Sequence, residues 1–392
     1  MILMAKKTVN PFVVSGKIAP EYFCDRVKES EQLIASIDNG RNLVLISPRR
    51  MGKTGLVYHC YDDDRMKDYY TFFIDILHTT SLQEFTYLLG RKIFDTTAST
   101  SRKLLRRFVK TLSSISGQFG YDPVSNTPTF SLSLGSIPQP EVTLEEIFQY
   151  LDSLDKPCVL TIDEFQQISR YQEKNIEALL RTYVQHSSNC VFVFAGSEYH
   201  IMQEMFLSAS RPFYNSTDIM ELRAIDIDTY ISFVTSWMNK GGRNISADII
   251  TKVYRLFRGN TYGLQRTFNQ IYSMTASGSV VGEDTVVRAI DDVIDGKVPL
   301  FSEQLSQIPD KQKRLLYAIA CEGEVSGITS QAFIARHQLA SASANQYAAR
   351  QLIASGILTK LNGNFSVSEQ FFDLWINRLY GEKPLKQVFN GS

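Results

Sequence analysis

Three rhythms of apolar and polar positions follow one another along the chain. As far as residue 225, short apolar runs at 43–46, 69–77, 158–162, 190–195 and 218–222 are separated by stretches with apolar residues at helical spacing. Runs that hardly alternate are buried on both faces, and such strands separated by helices form a parallel sheet. Helices are predicted over 25–37, from residue 54 onward, over 82–116 as a pair, and over 143–154, 172–186 and 198–206. Thr79-Thr80-Ser81 is the cap of the first helix of the pair. Residues 117–141 are rich in Gly, Ser and Pro, and the alternation at 129–134 predicts a small hairpin inside a long loop. The whole of 82–141 is thus an insertion, and one long enough to meet a partner.

From 226 to 296 the period is helical throughout, with four segments at 228–239, 246–257, 262–275 and 282–295. The last part differs again. Helices at 311–321, 330–337 and 341–355 are followed by two short apolar runs, 357–360 and 365–367, on either side of Asn362-Gly363. Asn-Gly between apolar runs is a hairpin signal, and three helices with a hairpin make a winged helix. A final helix carries Phe371, Phe372, Leu374 and Trp375, an aromatic stripe suited to a core. The expected domains are 1–225, 226–298 and 299–392.

Composition narrows the partners. The 392 residues hold 41 basic and 41 acidic side chains, so no global field attracts nucleic acid or acidic lipid. With 44% hydrophobic and 21% charged residues the chain falls in the globular class. No apolar run nears the ~18 residues of a spanning helix, and Met1–Lys7 is too short for a signal peptide. The five cysteines have no paired spacing, which predicts free thiols and a cytoplasmic setting. The histidines are dispersed, without metal-ligand spacing.

The chemistry concentrates at two strand ends. After the run Leu43–Ile46 comes Ser47-Pro48-Arg49-Arg50-Met51-Gly52-Lys53-Thr54-Gly55 and then a helix. Strand, loop and helix in that order, with Gly-Lys-Thr at the turn, form a phosphate-binding loop. Backbone N–H groups and the helix N-terminus would cradle phosphate, Lys53 would reach the β- and γ-phosphates, and Thr54 would hold Mg²⁺. The first glycine of the usual pattern is replaced by Ser47. Cys158–Glu164 is a buried-strand pattern ending in two carboxylates. Asp163 would orient Mg²⁺ and Glu164 would polarise an attacking water. Together the two motifs predict binding of ATP and ADP with Mg²⁺. Arg211, in the loop before the last strand, could reach a neighbouring molecule's γ-phosphate, with Arg223 as the competing candidate. Arg102, Lys103, Arg106, Arg107 and Lys110 form a basic cluster that is either a solvated face or a contact for phosphate or an acidic partner.

Phe23-Cys24-Asp25-Arg26-Val27-Lys28-Glu29 followed by this loop resembles the archaeal-type ATPase family. That family lies among the signal-transduction ATPases with numerous domains, within the AAA+ group. The resemblance implies a P-loop parallel sheet sandwiched by helices, an all-α lid over 226–298 and the C-terminal winged helix. It places the segment of Phe23, Asp25, Arg26 and Glu29 against the nucleotide base, which makes Arg26 a binding residue. It also makes Ser197 a sensor of the γ-phosphate, although a helix cap for 198–206 explains Ser197 equally well. Arg258-Gly259-Asn260-Thr261-Tyr262-Gly263 stands where the class carries Gly-x-Pro. Thr261 replaces the proline, so a phosphate contact from Arg258 or Arg266 competes with a plain helix cap.

Three functions fit these residues. The first is a nucleotide-dependent switch, with slow Mg²⁺-dependent hydrolysis coupled to movement of the lid and winged helix, and with a protein partner or self-association. The second is a DNA-binding ATPase resembling the origin-recognition branch of AAA+, in which the winged helix and the basic helix at 102–110 would grip duplex DNA. Against it, residues 303–392 carry nine basic and seven acidic side chains, and the expected recognition helix has one basic residue, Arg350. The third is a nucleotide-binding scaffold with little turnover. No membrane contact is expected.

Overall fold

The computed structural model describes residues 10–121, 128–130, 137–361, 363–381 and 384–391. They fall into two compact units, one made of the described residues of Arg26–Arg223 and one of those of Met1–Asp25 and Ala224–Ser392.

In the first unit helix α1 (Val27–Asp38) leads to strand β1 (Leu43–Ile46), helix α2 (Lys53–Tyr61) and strand β2 (Tyr70–Asp75). The insertion supplies α3 (Leu82–Thr100), α4 (Arg102–Thr111), β3 (Phe119–Tyr121) and β4 (Pro128–Phe130). Then come α5 (Pro140–Asp152), β5 (Cys158–Asp163), α6 (Ile176–His186), β6 (Cys190–Gly196), α7 (Tyr199–Leu207) and β7 (Asp218–Glu221). The main sheet has the order β2-β5-β6-β1-β7, with every pairing parallel. Strands β1, β5 and β6 are buried at every position, as continuous apolar runs in a helix-flanked sheet require. Burying a side chain such as Leu43 or Val44 contributes on the order of 1.5–3 kcal/mol. Ser81 caps α3 by accepting from Glu84 N at 3.3 Å, as the Thr-Thr-Ser signal predicts. β3 and β4 pair antiparallel, so the insertion holds a hairpin that starts earlier than the alternation suggests. The remainder of that expectation, at 122–127 and 131–136, lies outside the described residues.

The second unit contains α8 (Ile227–Lys240), α9 (Ala247–Leu256), α10 (Thr261–Met274) and α11 (Glu283–Asp295), the four helices expected of a lid. After α12 (Val298–Ser306) come α13 (Asp310–Glu322), α14 (Gln331–Arg336), α15 (Ala342–Ala354), β8 (Leu358–Leu361), β9 (Asn364–Val367), α16 (Gln370–Tyr380) and α17 (Leu385–Asn390). β8 and β9 pair antiparallel with Leu361 opposite Asn364. Gly363, at φ +86°, supplies the left-handed backbone this tight turn needs. Residues 10–25, expected with the P-loop core, pack instead with the helices of this unit. Phe12 is fully buried among Phe233, Phe268 and Tyr272. Asn269 Nδ2 donates to Phe12 O at 2.7 Å, and Asn10 Nδ2 donates back to Asn269 O at 2.9 Å.

None of the five cysteines is in a disulfide; Cys24, Cys60, Cys158 and Cys190 are buried, and Cys321 is exposed at the end of α13. Among the described residues no helix is long and apolar enough to cross a membrane.

Candidate nucleotide-binding site

β1 ends in the middle of the sheet, between β6 and β7, and its continuation makes the loop. Ser47 is fully buried. Its N–H donates to Gly196 O of β6 at 3.2 Å, which prolongs the ladder by one residue. Its hydroxyl donates to Pro48 O at 3.0 Å, so serine fits where the motif usually has glycine. Pro48, Arg49, Arg50 and Met51 turn the chain, with Arg50 at φ +67° and Gly52 at φ +91°. Gly52 is the N-cap of α2 and no side chain caps it, so the amides at Lys53, Thr54 and Gly55 begin the helix with an uncapped donor end.

Arg26 supports this turn from behind. Its guanidinium is 4% exposed and donates to Met51 O at 3.3 Å, to Arg223 O at 2.7 Å and to Glu29 at 2.7 Å. One buried cation thereby joins the start of α1, the phosphate loop and the end of β7. Each of these three bonds goes to protein, so Arg26 here positions the loop.

Lys53 is only 6% exposed. Among the described residues its ammonium has neither a hydrogen bond nor an ion-pair partner. Burial pushes its pKa below the ordinary lysine range, and the charges of Glu164 and Asp163 pull it part of the way back. A buried ammonium left without a direct partner is a receptor for an incoming anion.

Asp163 ends β5 opposite Asp75 of β2. Its Oδ2 accepts from Thr54 Oγ1 at 2.8 Å, and its Oδ1 accepts from Glu164 N at 3.0 Å. Burial raises its pKa, against the opposing pull of Lys53 and the Thr54 hydrogen bond. Asp75 itself is exposed and accepts from Leu77 N at 2.9 Å, so it caps the turn after β2. Glu164 adopts φ +57°, ψ +40°, a left-handed conformation that costs a non-glycine residue about 1 kcal/mol or more. That turn carries its carboxylate to Ser197, whose Oγ donates to Glu164 Oε2 at 2.6 Å. The helix-cap reading of Ser197 does not hold, because α7 starts at Tyr199 with Glu198 as its N-cap.

Gln166 escaped the sequence reading. It is fully buried, and its Nε2 donates to the same Glu164 Oε2 that Ser197 binds. Its Oε1 is buried without a partner and lies against the backbone of Gly196. A Cβ on Gly196 would come within 2.7 Å of that oxygen and 2.4 Å of Met202 Sδ, so only glycine fits there. The available signal was the pair Gln166-Gln167 directly after two carboxylates.

Arg211 lies outside this network. Its guanidinium pairs with Glu177 of α6 and with Glu204 of α7 at 3.5 Å. Arg223 is 81% exposed and pairs with Glu221 at 2.8 Å. In the second unit, Arg258 faces Glu324 and Asp373, each at 3.7 Å. There Asn260 provides the helix cap by accepting from Gly263 N at 3.0 Å. Among the described residues Arg266 has no ion-pair partner.

The residues fit a magnesium nucleotide. A hydroxyl and a carboxylate 2.8 Å apart are hard oxygen donors, and Mg²⁺ typically takes one or two such groups beside phosphate oxygens and water. Among the described residues no group of three or more His, Cys, Asp or Glu side chains could hold a metal. A bound Mg²⁺ would therefore need oxygens from the nucleotide itself.

A phosphate loop leaving β1 of a parallel β2-β5-β6-β1-β7 sheet, with an Asp-Glu pair at the end of β5 across the intervening β6, defines a P-loop ATPase fold of the AAA+ kind. The family described as an ATPase domain predominantly from Archaea matches residues 23–266, and the chain belongs to that family. A probable winged helix domain matches residues 299–378. Among solved structures, the Walker-type ATPase PABY2304 of Pyrococcus abyssi superposes with a TM-score of 0.64 at 16% identity, covering 94% of this chain and 99% of that one. The Aeropyrum pernix ORC2 protein, solved as ADPNP-ADP complexes, gives 0.58 at 12% identity over 98% and 97%. The Aeropyrum pernix ORC1 protein in complex with DNA gives 0.52 at 11% identity over 94% and 96%. At these identities the likeness is one of fold. No curated protein sequence matches the chain.

Proposed function

We propose that this chain binds ATP with Mg²⁺, hydrolyses it slowly, and uses the bound nucleotide as a switch read out through its helical and winged-helix unit. The observation that carries the reading is the cluster of Lys53 and Thr54, at the start of α2, with Asp163 and Glu164, at the end of β5. It combines a buried ammonium without a direct partner, a hydroxyl–carboxylate pair and a separate carboxylate held by two donors. In this scheme the α2 amides and Lys53 bind the β- and γ-phosphates, and Thr54 and Asp163 hold Mg²⁺. The metal supplies neutralisation of phosphate charge. Glu164 orients a water and accepts its proton. Ser197 and Gln166 fix the carboxylate by binding one of its two oxygens, which leaves the other for the water.

Arg211 could act on a neighbouring copy's nucleotide only after release from Glu177, so self-association would have to break that ion pair. The test is the Glu164→Gln variant. Nucleotide binding should persist in calorimetry, while steady-state phosphate release falls at least about 100-fold. Unchanged hydrolysis would remove Glu164 as the base, and loss of binding would remove the switch reading.

The winged helix gives less support to a base-reading role. α15 presents Arg350 as its one basic residue, among Ser, Ala, Asn and Gln, and sequence-reading helices carry a stronger basic footprint.

A further inference from the structure

The most strongly charged surface of the first unit lies on the insertion. α4 turns Leu104, Leu105 and Phe108 into the core, at 6%, 3% and 0% exposure. The opposite face consists of Arg102, Lys103, Arg106, Arg107 and Lys110, all exposed. None of the five forms an ion pair or a side-chain hydrogen bond among the described residues.

The fold gains nothing from this arrangement. Arg102–Arg106, Lys103–Arg107 and Arg106–Lys110 are like charges at i,i+4, each of which destabilises a helix. Arg102 and Lys103 also occupy the first turn, where the helix dipole disfavours cations. Ser101 caps the helix by accepting from Lys103 N at 3.2 Å, yet no acidic residue accompanies it in that turn. A chain with equal numbers of acids and bases nonetheless carries five cations on one face with no ion-pair partner among the described residues.

We propose that this face of α4 docks double-stranded nucleic acid through its phosphate backbone, without reading bases. Three observations select that partner among polyanions. An interfacial membrane helix needs a broad exposed apolar face, whereas Leu104, Leu105 and Phe108 of α4 are turned inward and its remaining apolar residue, Val109, is half-buried. A protein interface needs buried aromatic or aliphatic anchors, and this face offers only cations. Single strands bind largely by stacking on exposed aromatics, whereas Phe108, the one aromatic residue of α4, is fully buried. Phosphate oxygens need none of these. Three guanidiniums suit forked contacts to phosphate, and the stripe from 102 to 110 runs about 12 Å along the helix, enough to follow several phosphates. The inference is independent of ATP turnover.

The test is fluorescence anisotropy of the full chain with a labelled duplex of ~30 base pairs and mixed sequence, at salt between about 50 and 200 mM. Up to five phosphate contacts predict a log–log salt slope of about −4 to −5, which weakens binding several-hundred-fold across that range. Arg106→Gln with Arg107→Gln and Lys110→Gln should make the slope shallower by about 2–3 and lower affinity at least about tenfold at low salt. Arg106→Lys with Arg107→Lys should keep most of the slope. The glutamine variant loses only exposed like charges, so its melting temperature should hold or rise. The proposal is overturned if wild type ignores duplex at low salt, or if the glutamine variant keeps the full slope, which would put the duplex on another surface. It also fails if the five cations are required for binding phosphatidylserine vesicles or polyglutamate but not for duplex.

Discussion

Two cations, one buried and one half-buried, show how differently charge inside a fold is used. Lys53 is nearly enclosed, lacks a direct partner, and is pushed toward neutrality by its surroundings. Arg258 also occupies an awkward position, at φ +51°, but it faces two carboxylates. One of them, Asp373, is only 10% exposed. Burial lifts the Asp373 pKa to about 7, and the Arg258 charge opposes the rise without cancelling it. The first cation remains to be satisfied by a ligand. The second joins the turn before α10 to the winged helix and is satisfied from within. A charged residue under strain is therefore not evidence of a site. The absence of a direct ion pair among the described residues separates the two.

The largest break in this comparison comes at Lys53. Lys53→Met should reduce ATP affinity more than about 100-fold in calorimetry, by removing a desolvated, charge-assisted contact to phosphate. The same change should raise the melting temperature of the nucleotide-free protein, since a buried charge without a partner disfavours the folded state. A lower melting temperature together with retained binding would make Lys53 an ordinary structural residue. A smaller effect is expected at the neighbouring carboxylate. Gln166→Leu removes one of the two donors to Glu164 and should lower kcat about tenfold, with KM and nucleotide affinity unchanged. If KM rises while kcat holds, Gln166 acts on binding instead.

The smallest effect on turnover, essentially none, is expected from Asp373→Asn, which probes the paired cation through stability. The Asp373 carboxyl is held well above its ordinary value near 3.8, at about 7, so the folded chain binds this proton more tightly than the unfolded one. Its contribution to stability is complete below about pH 4 and is lost as pH rises through 7. The asparagine variant should flatten that decline in denaturant titrations at pH 4, 6 and 8, and be the more stable protein at pH 8. Lower stability of the variant at pH 8 would show that attraction to Arg258 outweighs the cost of burial.

Much of this was written locally in the chain. The loop from Ser47 to Thr54 could be read because an apolar run, a Gly-Lys-Thr turn and a helix stand in immediate succession. Asp163 and Glu164 could be read because they end a strand with no alternation. What escaped depends on residues distant in sequence. Gln166 looks like a surface amide until Gly196, on another strand, is seen to leave room for it. The helix-cap alternative for Ser197 falls on where α7 begins, and its bond to Glu164 joins residues 33 positions apart. Residues 10–25 precede α1 directly, and nothing local reveals that Phe12 belongs with helices more than two hundred positions later. Helix α12 is not among the elements expected from the apolar pattern; Pro299 sits in its first turn, where proline is well tolerated.

The distribution of the thiols has a practical consequence. Burial raises the pKa of Cys60 to about 12 and pushes Cys190 well up from its ordinary value, and Cys24 and Cys158 are enclosed as well. Cys321 alone of the five is exposed, so a maleimide dye added to the native protein would attach there first, without prior removal of the other cysteines. The chain thus carries its own attachment point for a fluorophore at the end of α13, and the environment of that helix could be followed in real time as nucleotide is added.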